Sequence, residues 1–241
     1  MATTSLEINL PESVGKTFSY SEIDSTQLEA KRKIALNYPV PFIVIAQSQT
    51  AGIGRFQRQW YSPRGGIYFT LAMESIKNPA VTLVAGITLV EILKNLFPEN
   101  KLILKWPNDI LADGKKISGI LTENFRYSLL IGIGINTFKN GKFHSIPCDN
   151  DRKSEILTRF LKKIDIYLSE FRKNGFEYFI PKYIDYTIPI GSEIEVFTQN
   201  RKLEGFFSGI NGDGSLILER DGKYFEFASG EVSLKIGEYS L

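Results

Sequence analysis

Hydrophobic and polar positions along this chain follow two periods, and each period predicts one kind of element. Apolar runs that are continuous or alternate with polar residues predict β-strands, whereas apolar residues at helical spacing predict α-helices. The predicted strands cover Thr17–Ile23, Phe42–Ala46, Gly66–Met73, Leu102–Leu104, Lys116–Asn124 and Ser128–Ile135. The predicted helices cover Ser25–Asn37, Asn78–Phe97, Arg152–Lys173 and Phe176–Tyr186. This succession predicts an α/β (α+β) domain in which helices flank a mixed β-sheet.

The pattern changes at Pro189-Ile190-Gly191, where short β segments replace the longer elements. Tight turns such as Gly212-Asp213-Gly214 and Asp221-Gly222 separate these segments. Short strands with tight turns over such a length predict a small β-barrel. The predicted segments are Glu193–Thr198, Lys202–Ile210, Ser215–Glu219, Lys223–Phe227 and Val232–Ile236. We therefore predict two domains, 1–188 and 189–241.

Composition narrows the class of protein. The formal net charge of +2 gives no strong basic field for nucleic acid, and no apolar run is long enough to span a membrane. The N-terminus lacks the pattern of a secretory signal, so we expect a cytoplasmic protein. Cys148 is the only cysteine, which excludes a disulfide within the chain and a cysteine metal cluster. The one histidine, His144, lies in a predicted surface loop, which argues against its acting as a general base.

Lys105 is the first candidate for chemistry. Alternation in the strand places it on the face of Ile103, opposite Leu102 and Leu104, and Pro107 then ends the strand. A lysine at a strand end often only extends its ammonium into solvent. An amine held beside a tryptophan and a proline turn is nevertheless a good anchor for a phosphate.

The polar loop Gln49–Arg64 is the second candidate. Its glycines allow close approach of the backbone to a ligand, and Arg55 and Arg58 can each fork onto an oxyanion. Trp60 supplies an aromatic wall near its end. The alternative is an exposed loop whose charges only solvate it. The Gly-Lys-Ser/Thr ending of a P-loop is absent.

Two further motifs have weaker signals. Gly132-Ile133-Gly134-Ile135-Asn136 lacks the third glycine of a dinucleotide fingerprint. We interpret it as a strand whose glycines let a flat ring lie against the backbone, with Asn136 as donor and acceptor; a tightly packed strand crossing is the alternative. Asp24-Ser25-Thr26-Gln27 reads locally as a helix start, whose amides can also hold a polar ligand head.

Taken in order, these motifs resemble the biotin protein ligase family, and the resemblance covers nearly the whole chain. The motifs that carry it are Asp24-Ser25-Thr26, Gln49 with Ala51-Gly52-x-Gly54-Arg55-x-x-Arg58-x-Trp60, Lys105-Trp106-Pro107-Asn108-Asp109, Lys116-x-Ser118-Gly119-Ile120-Leu121, Gly132-Ile133-Gly134-Ile135-Asn136 and Ser229-Gly230-Glu231-Val232-Ser233-Leu234. The resemblance implies a catalytic domain like that of class II synthetases, followed by an SH3-like barrel.

The resemblance also implies a reaction and a site. Biotin and ATP, with Mg²⁺, give biotinyl-5′-AMP and pyrophosphate, and the biotinyl group then passes to a lysine of a biotin carboxyl carrier protein. Lys105 and Arg55 are the implied catalytic cations. The implied biotin contacts are Ser25, Thr26, Gln27, Gln49, Gly52, Ile53, Gly54, Arg55, Lys105 and Gly119. The implied ATP contacts are Arg55, Arg58, Trp60, Lys105, Asn108, Lys116 and Asn136, and Asp109 is the candidate metal ligand.

This chain departs from the family pattern at four positions. Gln27 stands where asparagine is usual, Ile53 replaces an arginine, Gln57 replaces a glycine and Phe138 stands where a second asparagine is common. These changes affect the expected biotin affinity more than the expected activity. The first predicted strand begins close to the N-terminus, so we expect the catalytic-only form without a DNA-binding domain. A homodimer formed by exposed strands is a further expectation.

Two other functions fit the sequence. A lipoate or octanoyl ligase or transferase belongs to the same superfamily, although Cys148 lies far from the motifs that would need a nucleophile. A non-catalytic biotin-binding protein would leave Lys105 or Arg55 without a chemical task.

Overall fold

The computed structural model of the chain describes residues 15–138, 143–198 and 202–234. The chain forms two compact units. The first contains residues 1–77 and 117–166, and the second contains residues 78–116 and 167–241. The boundary predicted at 188/189 remains a prediction.

The elements follow the predicted order closely. In the described residues the α-helices are Thr26–Ala35 (α1), Val81–Leu96 (α2), Asn150–Asn174 (α3) and Ile180–Tyr186 (α4). The strands are Lys16–Tyr20 (β1), Phe42–Ala46 (β2), Ile67–Glu74 (β3), Leu102–Lys105 (β4), Asp109–Ala112 (β5), Lys115–Phe125 (β6), Ser128–Ile135 (β7), Glu193–Phe197 (β8), Lys202–Ile210 (β9), Leu216–Arg220 (β10), Lys223–Phe227 (β11) and Glu231–Leu234 (β12). The end of the last predicted strand, residues 235–236, lies outside the described residues.

A mixed sheet is the centre of the first unit. Its strands lie in the order β1-β2-β3-β7-β6, with β1 parallel to β2 and the other neighbours antiparallel. All five residues of β2 are buried, as expected of an apolar run without alternation. Helix α1 packs on this sheet through Ala30 and Ile34, which contact Phe42 and Val44. This packing fixes the start of α1, where several predicted site residues lie.

Helix α2 and the β4–β5 hairpin belong to the second unit. Twelve of the sixteen residues of α2 are buried, and in the turn that precedes it Asn78 Oδ1 accepts from the Ala80 N–H at 2.9 Å. Strands β4 and β5 pair antiparallel, with Lys105 opposite Asp109. The predicted turn at Asp113-Gly114 has positive φ at both residues (48° and 75°), as a type I′ turn requires.

The C-terminal strands form an antiparallel sheet in the order β11-β10-β9-β8-β12. Alternate residues of these strands point inward and are buried, for example Ile194, Val196, Phe207 and Leu218. The predicted strand Lys202–Ile210 is confirmed at both ends, and the others agree to within one residue where they are described. Among the described helices, none combines the length and apolarity needed to cross a membrane.

Candidate active site

The N-terminus of α1 is held in place by an ion pair and a cap. Ser25 has extended backbone angles, and its Oγ accepts from the Leu28 N–H at 3.5 Å. The Arg32 guanidinium donates to both Asp24 oxygens, at 2.7 and 2.8 Å. This bidentate contact lowers the pKa of Asp24 to about 2, although burial of the carboxyl opposes the shift. Ser25 and Thr26 are buried beside this clamp.

Gln49 joins the start of α1 to the polar loop. Its Oε1 accepts from the Thr26 N–H at 2.8 Å and from the Thr26 hydroxyl at 3.1 Å. Its Nε2 donates to Ser62 Oγ at 2.8 Å, and the Ser62 hydroxyl donates to the Trp60 carbonyl at 3.1 Å. The structure therefore brings Thr26, Gln49 and Trp60, which the motifs had placed far apart in sequence, into one hydrogen-bonded network.

Gly52 lies inside that network and has no room for a side chain. A Cβ there would overlap the Trp60 carbonyl and would lie 2.7 Å from Ser62 Oγ. The Trp60 N–H donates to the Gly52 carbonyl at 2.8 Å, and Ile53 bridges to Gln59. The loop thus folds back on itself, which leaves its backbone at Gly52 close to the Gln49 amide.

The loop arginines share an exposed aromatic ring. The Arg55 guanidinium lies 4.8 Å from the Phe56 ring centroid and that of Arg58 lies 5.8 Å away, while Phe56 is 52% exposed. Phe56 and Gln57 have φ of 55° and 58°, a left-handed conformation that favours glycine. The family's usual glycine at position 57 would adopt this conformation without strain. Gln57 therefore adds local strain next to both cations.

Side chains from elsewhere in the chain pack directly against the two glycines of β7. A Cβ at Gly134 would overlap the Trp60 indole, and a Cβ at Gly132 would lie 2.5 Å from Gln27 Oε1. The flat ring that lies against this strand is the Trp60 indole, and the predicted contact of a ligand ring with these glycines and Asn136 remains a prediction. Gly119 of β6 pairs with Gly134, so it lies directly beside the position covered by Trp60.

Asn136 holds the chain after β7. Its Nδ2 donates to the His144 carbonyl at 3.1 Å, its N–H donates to the Ile117 carbonyl, and its carbonyl accepts from the Ile146 N–H. His144 contributes its backbone to this contact. The predicted adenine contact of Asn136 remains a prediction.

The other predicted residues lie in the second unit, around the end of β4. Leu102 and Leu104 are buried, while Ile103 and Lys105 are half-buried, which confirms the predicted faces. A small pocket opens beside Lys105. Its lining residues come from α2, the β4–β5 hairpin and α4: Leu83, Gly86, Leu104, Lys105, Pro107, Asn108, Asp109 and Tyr183. Lys105 and Asn108, both predicted to meet ATP, thus line one pocket.

Asp109 forms an ion pair with Lys116. The Lys116 Nζ lies 2.7 Å from Asp109 Oδ1, and the Asp109 side chain is only 18% exposed. In the described residues there is no group of three or more His, Cys, Asp or Glu side chains that could hold a metal ion. A Mg²⁺ ion at Asp109 would therefore take most of its ligands from phosphate oxygens and water.

Comparison with known proteins assigns the family. The profile of the biotin/lipoate A/B protein ligase family matches residues 20–140, and that of the biotin protein ligase C-terminal domain matches residues 190–235. The chain belongs to the biotin protein ligase family. The described part of the C-terminal match is the antiparallel sheet β8–β12, which supports the predicted appendage at the fold level.

Named relatives of this ligase family cover most of the chain. The bifunctional ligase/repressor BirA of Bacillus spizizenii is 32% identical, covering 92% of this chain and 75% of the relative. The biotin–[acetyl-CoA-carboxylase] ligase of Mycobacterium tuberculosis is 26% identical, and the match covers 79% of this chain and 77% of the relative. The structure of Aquifex aeolicus biotin protein ligase in complex with biotin and ATP has a TM-score of 0.79 and 28% identity, covering 92% of this chain and all of that chain.

The sequence did not indicate three residues that form hydrogen bonds with predicted site residues: Ser62 with Gln49, Thr70 with Thr26, and Glu123 with Gln27. All three are polar and lie within or beside predicted elements, where a serine, threonine or glutamate has no distinctive spacing. One signal was available for Thr70, because its aliphatic hydroxyl interrupts the apolar run Ile67–Met73. A hydroxyl buried in such a strand needs a hydrogen-bond partner.

Proposed function

We propose that this chain is a biotin protein ligase that works in two steps. In the first, an oxygen of the biotin carboxylate attacks the α-phosphorus of ATP, and the bond to pyrophosphate breaks. In the second, a lysine amine of a carrier attacks the biotinyl carbonyl, and AMP leaves. The observation that carries the proposal is the match to Aquifex biotin protein ligase, a biotin and ATP complex, over 92% of this chain.

The first step brings two anions together. A carboxylate and a phosphate at about 4 Å repel by roughly 1 kcal/mol in water and by more in a partly desolvated site. Lys105 and Arg55 are the cations that we propose to offset this charge, with Arg58 and Lys116 on the polyphosphate. Charges held ready in this way lower the barrier without reorganisation during the reaction.

We propose that the biotin head group binds at the hydrogen-bonded network at the start of α1. Thr26 and Gln49 meet there with Ser25, and all three carry groups that can bind a ureido ring. The backbone of Gly52, Ile53 and Gly54, together with Gly119, would line the rest of biotin. Gln27 is different, because its amide already contacts Glu123 and Thr70, so we propose a supporting role for it.

Trp60, Asn108 and Asn136 are the residues that we propose to contact the nucleotide. Trp60 offers an aromatic surface, and the other two offer amide groups to the adenine or phosphates. Mg²⁺ would enter with ATP and neutralise phosphate charge, with Asp109 as its protein contact. Lys116 is paired with Asp109, so a Mg²⁺ ion held by Asp109 would compete with Lys116 for that carboxylate and leave its ammonium for a phosphate.

The partner that we propose is a biotin carboxyl carrier protein. Relatives named biotin–[acetyl-CoA-carboxylase] ligases support a carrier of this class. The carrier lysine must attack as the neutral amine, so transfer should accelerate as pH rises toward the ordinary lysine pKa near 10.4. A homodimer, a cytoplasmic location and the absence of nucleic-acid and membrane partners remain predictions.

Lipoate or octanoyl transfer is the second candidate function. The family profile includes lipoate enzymes, but the named relatives and the structure at 28% identity are biotin ligases. Cys148 is a poor nucleophile for octanoyl transfer, because burial raises the pKa of its thiol.

The deciding experiment offers the purified chain labelled biotin or labelled lipoate, each with ATP, Mg²⁺ and the matching apo carrier domain. We expect pyrophosphate release and carrier labelling with biotin only, and loss of both in Lys105→Ala. Labelling with lipoate but not biotin would assign the second function. Biotin binding without pyrophosphate release would indicate a non-catalytic binding protein.

A further inference from the structure

Tyr183 of α4 places a phenol in the protein interior without a hydrogen bond. Its side chain is 1% exposed, and in the described part of the chain no group meets the distance and angle of a hydrogen bond to its hydroxyl. The nearby Thr187 hydroxyl donates instead to the Leu104 carbonyl at 2.9 Å. Burial raises the pKa of Tyr183, so the phenol keeps its proton and is a donor. A buried donor of this kind indicates that a further polar group binds beside it.

Contacts between α4 and α2 hold this phenol in place. Glu91 of α2 accepts from Lys182 Nζ at 2.9 Å and from the Tyr186 hydroxyl at 3.2 Å, and these two residues flank Tyr183 in α4. The Tyr167 hydroxyl donates to the same carboxylate at 2.6 Å. Glu91 is only 5% exposed, so these charge-assisted bonds are shielded from water. They fix α4 against α2, and the position of Tyr183 is fixed with it.

A second residue of the same pocket carries a buried oxygen without a hydrogen bond. Asp109 and Tyr183 both line the small pocket beside Lys105. Lys116 Nζ lies 2.7 Å from Asp109 Oδ1, but at an angle that makes no hydrogen bond to this atom. Oδ1 therefore keeps lone pairs for another donor. One pocket thus contains a buried donor and a buried acceptor, each of which needs a partner.

The size of the pocket limits what that partner is. Its volume is about 10 Å³, which is room for one water molecule. A water molecule accepts from one group while it donates to another, so it matches the phenol of Tyr183 and the Asp109 carboxylate at the same time. Two such polar partners are sufficient to order a buried water molecule.

We propose that Tyr183 is a positioning residue that holds the Asp109 carboxylate through one buried water molecule. The phenol donates to the water, and the water donates to Asp109 Oδ1. The proposal rests on the proposed function, in which Asp109 pairs with Lys116 and contacts Mg²⁺ beside the polyphosphate. Both tasks depend on the orientation of the carboxylate, and hydrogen bonds behind a ligating group set that orientation. Tyr183 therefore prepares the ATP site without contacting ATP.

A crystal structure of the full chain without ligands tests the water directly. We expect ordered density in the pocket within hydrogen-bond distance of both Tyr183 Oη and Asp109 Oδ1. A phenol that bonds directly to another protein group, or a pocket without ordered water, would overturn the proposal.

The KM for ATP, measured by pyrophosphate release at saturating biotin, tests the positioning role. Tyr183→Phe removes the donor and keeps the ring, so KM should rise about 2- to 10-fold, the scale of one net hydrogen bond, with a smaller change in kcat. Tyr178→Phe, at a 56% exposed position just before α4, is the matched control and should keep the wild-type KM. Thermal unfolding verifies that each variant is folded.

The decisive comparison uses Asp109→Ala as the background. If Tyr183 acts through Asp109, adding Tyr183→Phe to this variant should leave KM for ATP unchanged. A merely structural role of the phenol would raise KM by the same factor in both backgrounds, which would overturn the proposal, as would a wild-type KM in Tyr183→Phe alone. A wild-type chain that releases no pyrophosphate would refute the proposed function, while the crystal structure would still decide whether the water is present.

Discussion

The indole N–H of Trp106 donates a hydrogen bond of 2.9 Å to the main-chain carbonyl of Gly214. Trp106 follows Lys105 directly and is only 4% exposed, and Gly214 lies in the turn between β9 and β10. Gly230, the residue before β12, lies against the same indole, since a Cβ there would be 3.6 Å from the ring. The C-terminal sheet thus supports the residue next to the proposed catalytic lysine.

Trp106→Phe should weaken that support while keeping most of the ring. Leaving the Gly214 carbonyl without its donor should cost about 1–2 kcal/mol of unfolding free energy, measured by urea denaturation. We also expect a several-fold slower release of pyrophosphate. Tyr224→Phe, at an exposed position of the same sheet, is the control and should change neither quantity. Equal values for both variants would show that the bond has no such role.

Deleting Ile190–Leu241 should have a larger effect. The truncated chain would expose the Trp106 indole to water, so we expect impaired carrier labelling and impaired adenylate formation, with residual biotin binding if the remainder folds. Circular dichroism should accompany the activity assay. A folded truncated chain that labels the carrier at the full rate would refute this support role for the C-terminal sheet.

Lys105→Ala should slow adenylate formation by at least about 100-fold, the scale of losing one preorganised charge at a transition state. Pyrophosphate release under single-turnover conditions measures this step. Lys101→Ala, at the exposed residue just before β4, is the matched control and should keep the wild-type rate. A near wild-type rate in Lys105→Ala would remove Lys105 from the mechanism.

Arg55→Ala should let biotinyl-5′-AMP escape before transfer, because the loop would lose a cation that holds the adenylate. The expected result is labelling of lysines on a bystander protein such as serum albumin, read by streptavidin blot. Arg64→Ala, at an exposed position of the same loop, should retain specific labelling of the carrier. If the two variants label the bystander protein equally weakly, Arg55 does not retain the adenylate.

Asp24→Asn removes the Asp24–Arg32 ion pair at the start of α1, and its effect on stability should depend on pH. The hydrogen bonds from Arg32 lower the pKa of Asp24 from 3.8 to about 2. The pair therefore stabilises the fold above about pH 4, and this contribution fades as pH falls toward 2. Since the pair is partly exposed, we expect the variant to be less stable by at most about 1 kcal/mol at pH 7, with the gap shrinking as pH falls and closing below about pH 2.

Denaturation at several pH values measures that difference. Asp165→Asn, at an exposed position of α3, is the control and should show no such pH-dependent gap. A gap between wild type and Asp24→Asn that stays constant from pH 7 to pH 2 would contradict the assigned pKa.

Local patterns were sufficient for most of the elements and for much of the motif set, although strand β5 was not predicted. The strand Lys202–Ile210 and the faces of Leu102–Lys105 follow from alternation, and the turn at Asp113-Gly114 follows from its residue types. These features depend on neighbours a few positions away, so the sequence alone contains the information. The order of the family motifs is likewise a property of the sequence.

Only the tertiary structure determines which polar side chains form hydrogen bonds with one another. Thr70 reaches Thr26 across 44 positions and Gln27 reaches Glu123 across 96, so no local spacing marks either pair. Only packing shows that the Trp60 indole lies against Gly134 of β7, because 74 positions separate the two residues in the sequence. A buried hydrogen bond is specified by strand register and helix packing together, and those are settled only when the whole sheet forms.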